Sequence, residues 1–141
     1  MRFEVSLDVS SGLGEAERAL CCCALDLSYV SVKEMRLQGS SFAASRMVRF
    51  LAIGCDLREA DFSSASLWRA SFQNCDLRGA NFDDTLLSGS HFRECDVREV
   101  RGLESADEME GARFSRVRLS REVAVLARLK GGTIPRPTAA L

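Results

Sequence analysis

The chain has 141 residues, 46% of them hydrophobic and 28% charged, with a formal net charge of −1. That length suits a single domain, and the apolar content suits a filled core. No apolar run reaches membrane length, so no membrane partner is expected.

At the N-terminus Phe3, Val5, Leu7 and Val9 alternate with polar residues, which predicts a strand, and Ser10 to Gly14 reads as a turn. Residues 1–19 are therefore assigned to an N-terminal capping segment. Glu15, Glu17 and Arg18 precede the apolar residues at 19–25, so no export signal is evident and a cytoplasmic protein is expected.

From residue 20 to 100 every fifth position is apolar, running Cys22, Leu27, Val32, Leu37, Phe42, Met47, Ala52, Leu57, Phe62, Leu67, Phe72, Leu77, Phe82, Leu87, Phe92 and Val97. Two residues before each lies a small or apolar companion, for example Cys55, Ala60, Ala65, Ala70, Cys75 and Ala80. A helix needs a period near 3.6 and a plain strand a period of 2, so alternating spacings of two and three mean short extended pieces separated by regular corners. Cys55-Asp56-Leu57-Arg58 recurs as Cys75-Asp76-Leu77-Arg78 and as Cys95-Asp96-Val97-Arg98, twenty residues apart. If each quintet is one side of a square coil, residue n lies beneath residue n+20 at about 4.8 Å. The core is then built from Leu57, Phe62, Leu67, Phe72, Leu77, Phe82, Leu87 and Phe92. The larger companions Leu20, Leu25, Val30 and Met35 predict a wider or distorted first coil.

After Val97 the spacing is lost and returns offset by two residues at Met109, Phe114 and Leu119. Residues 102–110 are expected to form an acidic loop or an irregular coil within a repeat region spanning 20–119. A helix is predicted over 120–131: Ser120 is a suitable N-cap, Glu122 lies in the first turn, and Val123, Leu126, Ala127 and Leu129 follow at helical spacing before Gly131-Gly132. Its apolar stripe would lie over the last coil. Residues 132–141, with Pro135 and Pro137, read as a tail.

Six cysteines do not imply disulfides here. Cys55, Cys75 and Cys95 fall on one inward column, where Cβ atoms about 4.8 Å apart exceed the spacing a disulfide prefers. Cys22 is expected inward, with Cys21 and Cys23 outward; neither C-x-x-C nor a nearby histidine supports a metal site.

The quintets Cys55-Asp56-Leu57-Arg58-Glu59, Ala60-Asp61-Phe62-Ser63-Ser64, Cys75-Asp76-Leu77-Arg78-Gly79 and Ala80-Asn81-Phe82-Asp83-Asp84 resemble the pentapeptide-repeat family. The resemblance covers about residues 20–119. It implies an all-β solenoid, a right-handed quadrilateral β-helix of about four to five coils closed by a short C-terminal α-helix. In the family similar helices make dimer contacts, so a homodimer through that helix is a further expectation. The resemblance also implies a candidate partner, since several bacterial members bind DNA gyrase or topoisomerase IV, present an acidic rod shaped like duplex DNA, and protect the enzyme from drugs.

Chemistry is sparse. His91, the single histidine, is expected at an outward position, and Asp83-Asp84 at outward variable positions. No catalytic residue, metal or cofactor is therefore expected, and function should reside on the outer faces. Asp56, Asp61, Asp76, Asp83, Asp84 and Asp96 form the candidate acidic face. With Arg58, Arg78 and Arg98 the 20-residue aspartates read either as a solvated charge lattice that holds the corners or as a charged recognition surface. Residues 55–110 hold 6 basic against 13 acidic residues, and 111–141 hold 7 against 1, so charge is segregated along the axis. That pattern either steers a partner or compensates end to end. Direct nucleic-acid binding is not expected, because the basic residues cluster at the C-terminal end without interleaved aromatics.

A second candidate lies at Met47 to Ile53, where the large and small core positions are exchanged at Phe50 and Ala52. Val48, Leu51 and Ile53 fall outward, and Trp68 one coil above Val48. These four residues form either an interaction patch or a local bulge. The expected function is a non-catalytic protein-binding module, with a type II topoisomerase as the most specific partner and a scaffold with an unrelated protein partner as the alternative.

Overall fold

A computed structural model describes the backbone of residues 3–5 and residues 22–106 and 109–133. The expected turn at 10–14, Leu7, Val9, Leu20, Cys21 and the end of the tail lie outside the described residues. Within them the chain winds as a four-sided parallel solenoid. One side is a six-stranded sheet of β1 (Phe3–Val5), β2 (Val30–Lys33), β3 (Leu51–Ile53), β4 (Ser71–Gln73), β5 (His91–Arg93) and β6 (Arg113–Ser115), in sequence order. Every pairing is parallel, and Ser31, Leu51, Ser71 and His91 follow one another at twenty-residue steps.

Columns of isolated bridges mark the other sides. One runs Arg36, Asp56, Asp76, Asp96, Arg118; another Ser41, Asp61, Asn81, Arg101; a third Asp26, Arg46, Ser66, Leu86. They are called here the ladder wall, the Asp61 wall and the Trp68 wall.

The corners explain why five residues make one side. From Ala24 to Glu99 every fifth residue has a positive φ, among them Glu59 at 57°, Ser64 at 56° and Arg69 at 55°. In the regular coils a carbonyl three residues back accepts the turn bond, as in Ala60 N to Leu57 O at 3.1 Å and Ala70 N to Leu67 O at 3.0 Å. A left-handed third residue is what a type II turn requires, and glycine supplies it at only some corners, such as Gly79 and Gly89.

Between corners the central residue of each quintet points inward. Phe62, Leu67, Phe72, Leu77, Phe82, Leu87, Phe92 and Leu57 are all at most 2% exposed. Phe42, Phe62 and Phe82 stack at 5.2 and 5.4 Å, and Phe72, Phe92 and Phe114 at 5.1 and 5.0 Å. The two columns meet edge to face, with Phe62 and Phe72 5.8 Å apart. Each buried ring contributes roughly 1.5–3 kcal/mol. Polar companions tie one coil to the one below: Thr85 Oγ1 donates to Phe62 O at 2.8 Å, and Ser45 Oγ to Cys22 O. Cys95 Sγ reaches Phe72 O at 3.2 Å. Cys55, Cys75 and Cys95 are free thiols, and hydrogen bonding to the Cys75 thiol together with burial pushes Cys55 far above the usual thiol range. A thiol so raised is a poor nucleophile, whereas the hydrogen bond with Cys75 lowers Cys95.

Four details depart from the sequence reading. Of the two readings of 102–110 the irregular coil holds and the excluded loop does not: Leu103, Ala106 and Met109 are buried, and the return of Phe114 over Phe92 makes this coil 22 residues long. The helix α1 (Arg121–Leu129) forms with Ser120 as its N-cap, but only Val123 and Ala127 are buried, with Leu126 partly so. Leu129 is 77% exposed although Lys130 beyond it still reaches Glu104 O and Ala106 O, because it lies around the helix from the face that carries Val123 and Ala127. The tail does not begin free: Thr133 bridges Arg113, donating to Ala112 O and accepting from Phe114 N, so it covers the edge of β6. Of the large early companions, Met35 is buried whereas Leu25 is 49% exposed at the open first coil.

Candidate functional surfaces

The ladder wall is built by short local bonds. Asp56 Oδ1 accepts from Arg58 N at 3.2 Å, and Asp76 and Asp96 repeat this with Arg78 and Arg98. Each aspartate thus braces its own turn, the role its side chain plays in any Asx turn. The guanidinium two residues on returns to the same carboxylate at 2.7 Å in all three quintets. Arg58 and Arg78 also lean toward the aspartate of the next coil, at 3.9 Å from Asp76 and 3.7 Å from Asp96. Arg36 and Arg118 close the column at its two ends. The hydrogen bond from Arg58 holds Asp56 below the ordinary carboxylate range, and Arg98 does the same for Asp96. The three aspartates are therefore neutralised within their own wall.

Asp61, Asp83 and Asp84 stand on a different side. Asp61 Oδ1 accepts from Ser63 N at 2.9 Å, and Asp83 accepts from Ser105 Oγ at 3.0 Å. Among the described residues these three carry no ion pair. The six aspartates of the candidate acidic face are thus split between a neutralised wall and an adjacent one that keeps its charge.

The Met47 to Ile53 candidates are likewise divided. Phe50 and Ala52 are both buried, at 2% and 0%, so large and small have changed places without loss of packing. β3 pairs in register on both sides, so no bulge interrupts it. Leu51 and Ile53 lie half-buried on the sheet side, while Val48, also half-buried, belongs to the Trp68 wall. Trp68 itself is 42% exposed, with the Arg69 guanidinium 4.5 Å from its ring centre.

His91 is less solvated than its outward position implied. It is half-buried, its Nε2 lies 2.7 Å from Ser115 Oγ, and burial followed by Arg113 and Arg93 lowers its pKa. Among the described residues no three His, Cys, Asp or Glu side chains gather as a metal site, and no helix is long and apolar enough to cross a membrane.

A family model for the pentapeptide repeat region matches residues 47–122, more than half of the chain. The chain belongs to the pentapeptide-repeat family. That family is in general a non-enzymatic structural and interaction fold, and the quadrilateral β-helix anticipated from the quintets is its architecture. Among solved structures the chain is similar to HetL, a pentapeptide repeat protein involved in heterocyst differentiation regulation from the cyanobacterium Nostoc sp. strain PCC 7120. That similarity has 23% identity and a TM-score of 0.53, over 78% of this chain and 36% of HetL. It is also similar to trypsin-treated QnrB1, a plasmid-mediated fluoroquinolone resistance protein, at 20% identity and a TM-score of 0.49, over 79% of this chain and 59% of QnrB1. The chain spans less than two thirds of either protein, and at these identities the likeness concerns the fold alone. No curated protein matches it by sequence.

Proposed function

We propose that this pentapeptide-repeat protein is a non-catalytic protein-binding module whose outer walls meet a macromolecular partner in the cytoplasm. The observation that carries this reading is the division of labour within each quintet. Its two inward residues interlock with the coils above and below, leaving only the outward side chains to vary in chemistry from wall to wall. The finer candidate is a type II DNA topoisomerase, gyrase or topoisomerase IV, with protection from drugs that poison it. Support comes from the family resemblance of the repeats and from the acidic central segment, in which Asp61, Asp83 and Asp84 keep their charge toward solvent.

A second reading, a scaffold for an unrelated protein, is favoured by the ladder wall. Its aspartates are matched by arginines at 2.7 Å, which leaves the rod less acidic than its composition suggests. A supercoiling assay of purified gyrase with and without a fluoroquinolone separates the two. Inhibition of supercoiling, or rescue from the drug, with loss of the effect in Asp61→Lys, Asp83→Lys, Asp84→Lys, supports the topoisomerase. An unchanged assay at tens of micromolar protein removes it.

A further inference from the structure

Outside α1, the large hydrophobic side chains left exposed among the described residues are Leu25, Tyr29, Trp68 and Leu86. All four belong to quintets of one side, 25–29, 65–69 and 85–89, which the Asp26, Arg46, Ser66, Leu86 column defines as the Trp68 wall. The other three sides expose none. At the N-terminal end of this wall a cleft of about 400 Å³ is lined by Tyr29, Val30 and Val48, with Arg46, Asp26 and Ser28 at its rim.

Charge on the wall is equally one-sided. Its basic groups are Arg46, Arg49 and Arg69, and among the described residues none of them is in an ion pair, in contrast to Arg58, Arg78 and Arg98 on the opposite side. Of the carboxylates on the described part of this wall, Asp26 is occupied in accepting from Ser28 N at 3.0 Å, and Glu110 stands beyond Leu86 at the C-terminal end, where its carbonyl accepts from Gly89 N. Trp, Tyr and Arg are the residues most enriched where protein interfaces concentrate their energy, and uncompensated guanidinium groups select an acidic partner.

Geometry narrows the partner further. Successive coils present their side chains about 4.8 Å apart along the axis, and successive turns of an α-helix present theirs about 5.4 Å apart. A helix laid along the wall therefore meets it one turn per coil, with an accumulated mismatch of about 2 Å over the three steps from the 25–29 coil to the 85–89 coil. Its apolar stripe would seat one side chain in the cleft between Tyr29 and Val48, a second against Trp68 and a third at Leu86. Acidic residues flanking that stripe would reach Arg46, Arg49 and Arg69.

We infer that the Trp68 wall is a docking surface for an acidic amphipathic helix of a partner protein. This rests on the reading of the chain as a protein-binding module but not on the topoisomerase, whose candidate surface is the Asp61 wall. A negative supercoiling assay and a negative helix-binding assay are therefore separate results.

The test uses the full chain and a fluorescein-labelled helical peptide of about 18 residues, with Leu along one stripe and Glu on both flanks. Two control peptides replace every Glu by Lys or every stripe Leu by Ser. Fluorescence anisotropy is expected to show the acidic peptide binding at least about tenfold more tightly than either control, with affinity falling as salt rises. Trp68→Ser and, independently, the Arg46→Glu, Arg49→Glu pair should each weaken it at least about tenfold, while Leu129→Ser on α1 leaves it unchanged. Circular dichroism melting of each variant verifies that the fold is kept. Equal binding of the Lys peptide, no binding of the acidic peptide up to millimolar concentration, or indifference to both sets of variants would overturn the inference. So would a concentration-dependent dimer in sedimentation velocity that Trp68→Ser abolishes, since the wall would then serve a second copy of this chain.

Discussion

The ladder wall and the Trp68 wall are made by the same backbone, the same turn and the same inward pattern, yet they dispose of their arginines in opposite ways. On the ladder wall the second outward position of the side, two residues after Asp, sends its guanidinium back 2.7 Å to a carboxylate that is already bracing the corner. On the Trp68 wall the column that would hold that aspartate reads Asp26, Arg46, Ser66, Leu86, and the arginines stay unmatched beside exposed rings. Within a repeat that fixes everything inward, function is written in which outward positions break the motif. The ladder keeps the motif and spends its charge on itself, whereas the Trp68 wall departs from it and keeps its charge for something else.

The largest perturbation removes what both walls share. Phe72→Asp puts a carboxylate between Phe92 and the tilted ring of Phe50, at a site with no solvent exposure. Loss of more than about 4 kcal/mol is expected, seen as an unfolded or molten circular dichroism spectrum. A shared corner comes next. Gly102 has φ +84°, and a Cβ there would stand 2.4 Å from Asp83 N and 2.8 Å from Asp83 Cα, both backbone atoms. Gly102→Ala is therefore expected to cost about 2–3 kcal/mol in urea unfolding.

The comparison sharpens with changes confined to one wall. Asp76→Ala leaves the Arg78 amide without its side-chain acceptor and should cost about 1 kcal/mol. The ladder also carries a pH signature. Asp56 and Asp96 have folded pKa values below the ordinary value of 3.8, so their contribution is full above that value and is lost as pH falls through the lower folded one. The melting temperature should drop on acidification from about pH 5 toward pH 2, and less steeply in Asp56→Asn, Asp96→Asn. The smallest effect belongs to the Trp68 wall, where Trp68→Ser should change stability by no more than about 0.5 kcal/mol while weakening binding of the acidic helix at least about tenfold.

Much of this was legible in the residues themselves. Phe62, Phe72, Phe82 and Phe92 announce the core because a spacing of five admits no other regular chain path, and the Cys-Asp-Leu-Arg recurrence fixes the ladder. The left-handed corners were less visible. Gly39, Gly54, Gly79 and Gly89, with Asn74 and Asp84, occupy that fifth position, but Glu34, Arg49, Glu59 and Arg69 dilute the signal. Those side chains accept the strain because the turn is held from both neighbouring coils. The inward turn of Leu103, Ala106 and Met109 was hidden by the acidic residues around them and by the two-residue insertion that shifts their register. Leu129 falls outside the buried face because six residues on from Val123 the helix has turned its side chain about 120° away.

The gathering of Leu25, Tyr29, Trp68 and Leu86 on one side required only reduction of their numbers by twenty. They occupy different positions of their quintets, so the motif's own columns separate them. Val48, chosen with Trp68, does share their wall, whereas Leu51 and Ile53 do not.

The most direct test of the contrast between the two walls is urea unfolding of two variants matched in charge. Arg58→Gln, Arg78→Gln, Arg98→Gln removes the ladder's cations, and Arg46→Gln, Arg49→Gln, Arg69→Gln removes those beside Trp68. The first is predicted to lower the urea midpoint and the second to leave it in place. Equal shifts, or a larger one for the Trp68 wall, would contradict the assignment of one wall to stability and the other to recognition.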